Sequence, residues 1–460
     1  MTREKILDLL ERHHQDHVLD HYRRLSPGKQ DLFHRGFSGM DLGLAFQLYG
    51  KFPQQGDSRP FPGGISPAPV IPIPKALEEI RRWKEAYRTG ESLLRRNQVA
   101  VLIVAGGQGT RLGFPGPKGS FPISPVKRKP LFQLFAESIQ ALSVRYRTDL
   151  PLLIMTSQEN HEETQGFFES HGFFGLKREA VHFFSQGLLP TLTPEGRLIL
   201  KDEVNLLANP DGHGGSMKAL YESGMAARLK ERGILEIFYC QVDNPLARIA
   251  DPAFIGYHRE EGADISTKVV RRQNLEEKVG IYGLVDGKPA IVEYSDFSPQ
   301  EYRSLDERGN IRYWAGNIAI HMISLSFVER LNRQGFALPY HRAVKEVEGL
   351  GLDGEAAKMK GWKFETFIFD AIPLAQKSCC VEVIREEEFS PVKNHTGIDS
   401  PETARRAMTN LFRNWLFEAG AEVPPEAQVE ISPLFAMDKE EVIDKLRGKK
   451  VTVREDMYFG

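Results

Sequence analysis

Three cysteines in 460 residues are too few, and too poorly spaced, for a disulfide framework or a zinc site. Cys379 and Cys380 are adjacent and Cys240 stands alone, a usage that points to a reducing compartment and a cytoplasmic location. No apolar run is long enough to cross a bilayer, and the amino-terminal "MTREKILDLLERHH" is charged and helical in pattern, unlike a signal peptide. An excess of charge of either sign is missing as well: 60 basic residues face 62 acidic ones, for a net charge of -2. Neither nucleic acid nor a membrane is therefore expected as a partner, and any anion site has to be local. No internal repeat is visible.

What is present is an ordinary globular composition, 41% hydrophobic and 27% charged, with length enough for two or three domains. The first segment reads as helices. Seven prolines between Phe52 and Pro74 forbid a regular helix there and suggest a junction over 52–74. A helix from Lys75 to Arg96 then leads into "VAVLIVA", after which apolar runs alternate with helical stretches: Leu131 to Tyr146, "LPLLIMT", a helix near Met217 to Arg232, and "ILEIFYC". That alternation predicts parallel strands with crossover helices. Beyond Ala263 the pattern changes to strands with tight turns, with Asp286 and Gly287 suited to a hairpin. The class is α/β, divided as a helical region 1–95, a central domain 96–400 and a small carboxy-terminal domain 401–460.

"VAVLIVAGGQGTRLGFPGPKGSFPI" sets that first strand against Gly106, Gly107, Gly109 and Gly113, then places Arg111 and Lys118 just beyond. Glycines let a phosphate or base approach the backbone, and the N–H groups of such a turn can form an anion nest. A dinucleotide fingerprint would want an acidic residue after the next strand, but that strand ends in Thr156 and Ser157. A Walker loop needs Gly-Lys followed by Ser or Thr, which is also missing. Arg111 offers a planar fork for phosphate oxygens and Lys118 a point charge. A plain structural turn is the competing reading.

The loop resembles the signature of the eukaryotic-type UDP-sugar pyrophosphorylase family, in its UDP-N-acetylglucosamine branch. "QGLLPTLTPEGRLIL", "ANPDGHGGSMKAL", "YCQVDNPLARIADPAFIGY", "IVEYSDFS", "WAGNIAIH", "KFETFIFDAI" and "REEEFSPVKN" follow in the order that family shows. The likeness implies a central mixed, Rossmann-like nucleotidyltransferase sheet flanked by a helical amino-terminal region and a small carboxy-terminal domain. It also implies a uridylyltransferase that joins UTP to N-acetylglucosamine-1-phosphate and releases pyrophosphate.

The resemblance assigns roles that the residue chemistry allows. Gly106, Gly107, Gly109 and Thr110 would contact UTP. Gln186 and the loop holding His213 and Gly214 would read uracil, an amide presenting both donor and acceptor. Asp243, at the end of a buried strand, would hold Mg²⁺ or Mn²⁺ together with substrate phosphates, with Asp370 as a second carboxylate; a turn or cap residue is the competing reading of both. Glu293 and Asn317 would hold the sugar, and Lys393 the sugar phosphate. Arg111, Lys118 and Lys393 would carry the catalysis, because charge accumulates on phosphate oxygens and the attacking phosphate is already ionised. His213 in "PDGHGG" is closer to the UDP-glucose branch, so a UDP-glucose or broad UDP-sugar pyrophosphorylase is the alternative. A nucleotide-sugar binding protein without turnover is the alternative from another class. His13, His17 and His21 share a helical face and read as solvated rather than metal-binding. Cys379 and Cys380 read as strand packing, and "REEEF" from Arg385 to Phe389 as a solvated edge or turn.

Overall fold

The computed structural model describes residues 2–37, 39–52, 64–351 and 354–460. The chain forms two compact units, each assembled from three stretches of sequence. The larger comprises Gly63–Ser185, Leu220–Arg333 and Ala371–Gly460; the smaller comprises Met1–Pro62, Gln186–Ala219 and Gln334–Asp370.

The larger unit is built on the strand Val99–Val104, whose side chains from Val99 to Ile103 are wholly buried. A strand apolar on both faces must be covered on both, as in parallel sheets wrapped by helices. It runs parallel to Glu236–Gln241 on one side and to Leu152–Thr156 on the other, with Val181–Ser185 parallel beyond. Helices Leu131–Tyr146 and His161–Ser170 supply the crossovers that parallel pairing demands. Past Ala263 the additions are antiparallel: Ala315–Ser324 pairs with Glu236–Gln241 and with Ile265–Arg271. Ile281–Val285 turns back into Lys288–Val292 through Asp286 and Gly287, whose φ angles of 50° and 77° suit a two-residue hairpin. Ser378–Glu382 joins Ile265–Arg271 in parallel, completing a ten-stranded mixed sheet. The class is α/β, as the sequence pattern predicts. Cys379 and Cys380 point to opposite faces, and both are buried.

The units divide the chain along other lines than 1–95, 96–400 and 401–460. Helix Leu77–Arg95 buries Ala86, Leu93 and Leu94 in the same core as Val101 and Phe135, so it belongs with the sheet. The carboxy-terminal stretch does likewise through Ala404, Met408, Val429 and Val442. In the smaller unit, helices Arg3–Arg12, Asp16–Arg24, Pro27–Gly36 and Leu42–Lys51 pack Leu10, Val18 and Phe33 with Leu192, Leu198, Trp362 and Phe364. Gln15, buried among them, accepts the Leu198 N–H at 2.8 Å and donates to the Gly196 carbonyl at 3.0 Å. Of the proline-rich junction, 53–63 lies outside the described residues, and the remainder enters the larger unit: Ile65–Pro67 pairs with Ile281–Val285, and Ile71 bridges Val381.

The histidines on the second helix are anchors rather than a solvated face. His17 and His21 donate from Nε2 to the carbonyls of Leu198 and Glu203 at 2.8 and 2.7 Å; His13 is instead the exposed cap of the first helix, its ring stacked on Phe46, so the three do not share one helical face. Among the described residues no cluster of three or more His, Cys, Asp or Glu could hold a metal, and no helix is long and apolar enough to cross a membrane.

Candidate active site

In the larger unit the glycine-rich loop leaves the carboxyl end of Val99–Val104 and folds back on itself. The Gly109 N–H donates to the Gly116 carbonyl at 2.8 Å, and the Lys118 N–H to the Gly107 carbonyl at 3.1 Å. Gly109 therefore shapes the loop instead of lending its N–H to an anion nest. A Cβ at Gly109 would lie 2.8 Å from the Phe114 ring, whereas one at Gly107 would meet nothing within 4 Å. Gly107 is thus the point at which a ligand can reach bare backbone. Asn160, fully buried, fixes the loop from below by donating to the carbonyls of Ala105 at 2.9 Å and Gly107 at 3.3 Å. Gly106 is half-buried, while Thr110 and Arg111 are exposed on the short turn Thr110–Leu112.

Lys118, Asp243 and the segment before Lys393 converge. Lys118 Nζ lies 3.7 Å from Asp243 Oδ2 and donates to the Val392 carbonyl at 3.2 Å. The Val392 N–H in turn donates to the Asp243 carbonyl at 2.8 Å. Lys393, half exposed, holds its Nζ 4.0 Å from Asp399 Oδ2 and donates its backbone N–H to the Asp399 carbonyl at 2.7 Å. Burial pushes the Asp399 carboxyl above its ordinary value, against the pull of Lys393. Two cations and two carboxylates thus sit around one backbone segment. At 3.7 Å the Lys118 ammonium balances the Asp243 charge without a direct hydrogen bond. Asp243 therefore retains oxygen lone pairs that fit a hard divalent cation.

Glu293 and Asn317 meet at Gly280. The Asn317 N–H donates to the Gly280 carbonyl at 2.8 Å, and a Cβ on Gly280 would come within 2.9 Å of Glu293 Oε1. The strand Ala315–Ser324 loses register between Asn317 and His321, where Ala319 adopts φ 55° and donates its N–H to Asn317 Oδ1 at 3.0 Å. A non-glycine residue in the left-handed region is uncommon, and such bulges re-aim side chains next to sites.

In the smaller unit Gln186 is buried at the entrance to Leu188–Pro190, which pairs with Ala208–Pro210. The Asp211 N–H donates to the Gly187 carbonyl at 3.1 Å, bringing Gln186 beside the 211–215 loop. That loop lies flat on Thr366 and Phe367: the Gly214 N–H donates to the Thr366 carbonyl at 2.9 Å, and a Cβ there would sit 2.8 Å from the Phe367 backbone. His213 rests near the rings of Phe367 and Phe369, and its Nδ1 accepts the Ile368 N–H at 3.2 Å. Burial lowers its pKa to about 4, so the imidazole is neutral. Asp370 accepts from His341 Nε2 at 2.7 Å, a partner that sequence did not suggest.

The sequence reading overlooked Asn160, Asn244, Gly280 and Glu388. Asn244 donates from Nδ2 to the Glu388 carbonyl at 2.7 Å and accepts the Ser390 N–H at 3.1 Å. "REEEF" is not a solvated edge: Arg385–Glu388 is a short helix whose Glu388 is buried against Lys268. For Asn160 and Asn244 a signal existed, since both follow strands at the carboxyl edge of the sheet where ligands bind.

The sequence profile of the UTP–glucose-1-phosphate uridylyltransferase family matches residues 71–433. The chain belongs to that family. It is 36% identical over 399 residues to the UDP-N-acetylglucosamine pyrophosphorylase of Saccharomyces cerevisiae, covering 84% of this chain and 83% of the yeast protein. It is 38% identical over 403 residues to the human UDP-N-acetylhexosamine pyrophosphorylase-like protein 1, covering 81% and 79%. A crystal structure of the uridine diphosphate N-acetylglucosamine pyrophosphorylase of Trypanosoma brucei, in complex with an inhibitor, superposes with a TM-score of 0.82 at 26% identity over 99% of both chains. A uridylyltransferase of the pyrophosphorylase type is what these likenesses, the mixed sheet and the convergent cations have in common.

Proposed function

We propose that this uridylyltransferase makes UDP-N-acetylglucosamine and pyrophosphate from UTP and N-acetylglucosamine-1-phosphate. The observation that carries the reading is the convergence of Lys118, Asp243 and the Lys393 segment at the carboxyl edge of the sheet. Two anionic substrates repel each other, and oriented cations in a partly dry site are what bring them together. An oxygen of the sugar-1-phosphate attacks the α-phosphorus of UTP; a new P–O bond forms, the bond to the β-phosphate bridge breaks, and pyrophosphate leaves with the electron pair. Arg111 and Lys118 hold the triphosphate, and Lys393 holds the incoming sugar phosphate. The backbone of Gly106, Gly107 and Thr110 flanks the nucleotide, with the open face of Gly107 as support. Asp243 would hold Mg²⁺ or Mn²⁺, which when bound neutralises charge on phosphate oxygens. Asp370 is a weaker ligand candidate, since it already accepts from His341. Gln186 and the His213–Gly214 loop read uracil.

The sugar is assigned from Glu293 and Asn317. Because Asn317 Oδ1 accepts the Ala319 N–H, its amide N–H₂ is left to face a sugar acceptor. The names of the yeast and human relatives agree with an acetylamino sugar. Three free, buried cysteines support a reducing, cytoplasmic setting. Pyrophosphate release measured across sugar-1-phosphates tests the assignment. N-acetylglucosamine-1-phosphate should give a higher kcat/KM than glucose-1-phosphate, and Asn317→Ala should narrow that ratio while leaving the KM for UTP nearly unchanged. A ratio favouring glucose-1-phosphate would establish the UDP-glucose reading that His213 suggests.

A further inference from the structure

Lys268 is the most deeply buried cation of the larger unit's sheet. It sits in Ile265–Arg271 with no exposure, its Nζ 2.9 Å from Asp251 Oδ2 and 2.9 and 2.7 Å from the two oxygens of Glu388. Phe254 closes one side of the ammonium, 5.2 Å from its ring centre. Asp251 is itself fixed, capping the helix Pro252–Glu260 by accepting the Ala253 N–H at 3.2 Å. A desolvated ion triad of this kind contributes little net stability over apolar packing, but it defines one geometry and punishes the rest. Glu388 is the only one of the three on a short loop-borne helix, so it is the member whose position the other two determine.

From Glu388 a continuous set of bonds leads to the reacting groups. Its carbonyl accepts from Asn244 Nδ2, whose Oδ1 accepts the Ser390 N–H. Two residues on, Val392 donates to the Asp243 carbonyl and accepts from Lys118 Nζ, and Lys393 follows. We infer that Glu388, clamped by Lys268 and relayed by Asn244, is a positioning residue that sets the place of the 390–393 segment and hence of Lys393 and Lys118. The inference rests on the reading of Lys393 as the ligand of the sugar phosphate. None of the three residues touches a substrate in this reading; they act by aim, where displacement of about 1 Å is enough to cost up to about a hundredfold in rate.

The full-length enzyme carries the test, in a pyrophosphate-release assay with N-acetylglucosamine-1-phosphate as the varied substrate. Glu388→Gln keeps the shape and one hydrogen bond to Lys268 but loosens the clamp; Asn244→Ala leaves the buried charges paired and cuts the relay. Each should lower kcat/KM by about tenfold or more. In a Lys393→Ala background the same substitutions should cost clearly less, about threefold at most, because Lys118 is then the only lysine left to aim. Equal losses in both backgrounds would mean a merely structural role and overturn the proposal, as would unchanged kinetics in a folded single variant. If Glu388→Gln fails to fold, Asn244→Ala decides alone by the same criterion. Full activity in Lys393→Ala itself would remove the reading of Lys393 and the proposal with it, a result that shows before any double variant is made.

Discussion

Replacing Lys118 by methionine keeps the length of the side chain and removes its charge. The side chains of Lys118 and Asp243 are 16% and 12% exposed and 3.7 Å apart. At an effective dielectric of about 20, two unit charges at that distance attract by about 4 kcal/mol before desolvation is counted. The net cost to folding lies between the ~0–1 kcal/mol of an exposed pair and the ~3–5 kcal/mol of breaking a fully buried one, so about 2 kcal/mol is expected. A domain of ordinary stability survives that loss. The effect on catalysis should be larger: a donor aimed at developing oxyanion charge is worth about 3–4 kcal/mol, or a factor of about 10² to 10³ in kcat. The two effects separate in one preparation. Calorimetry should show a cooperative transition shifted by several degrees, and pyrophosphate release at saturating UTP and sugar-1-phosphate should fall by at least two orders of magnitude. A folded Lys118→Met enzyme with kcat within about fivefold of the wild type would refute this placing of the cation.

Asp243→Asn should nearly abolish turnover and raise the Mg²⁺ concentration that half-activates the remainder, read from a metal titration; an unchanged titration would make the carboxylate structural. His213, with its pKa lowered by burial from 6.5 to about 4, favours the fold in its neutral form, so its contribution is complete above pH 6.5 and lost as pH falls from 6.5 to about 4. The full span corresponds to about 3 kcal/mol, and urea unfolding at pH 7 and pH 4.5 should show a flatter dependence in His213→Asn than in the wild type; parallel curves would count against the burial account.

The strands and crossovers were legible because their signal is local. "VAVLIVA" can satisfy its apolar side chains only when both faces are covered, and Asp286-Gly287 can adopt its two positive φ values almost nowhere but in a tight hairpin. The division into units was not legible, because it is set by partners far away in sequence. Nothing in "LEEIRRWKEAYRTGESLLR" says that its apolar stripe will meet the sheet core rather than the four preceding helices. The glycine loop with Arg111 and Lys118 is legible as a phosphate site from residue type and spacing after a strand, whereas Lys393 is a candidate only through the family resemblance. Their supports carry no such signature: Gly280 looks like any strand glycine until Glu293 and Asn317 are seen on either side of it.

Charge is where local reading misleads most. "REEEF" has three consecutive carboxylates, and the ordinary fate of such a run is solvent, which holds for the exposed Glu386 and Glu387. Glu388 escapes it because Lys268 lies in "ISTKVVR", a strand paired on both edges and packed on both faces, where an ammonium has no water to bind. A lysine in the middle of such a strand therefore requires anionic partners from elsewhere in the chain, and that requirement could have been read from the sequence. Which carboxylates would meet it could not, since Asp251 lies 17 residues away and Glu388 lies 120. The demand made by a buried charge is local and its satisfaction is not; the segment that supplies the second carboxylate here is also the one that leads to Lys393.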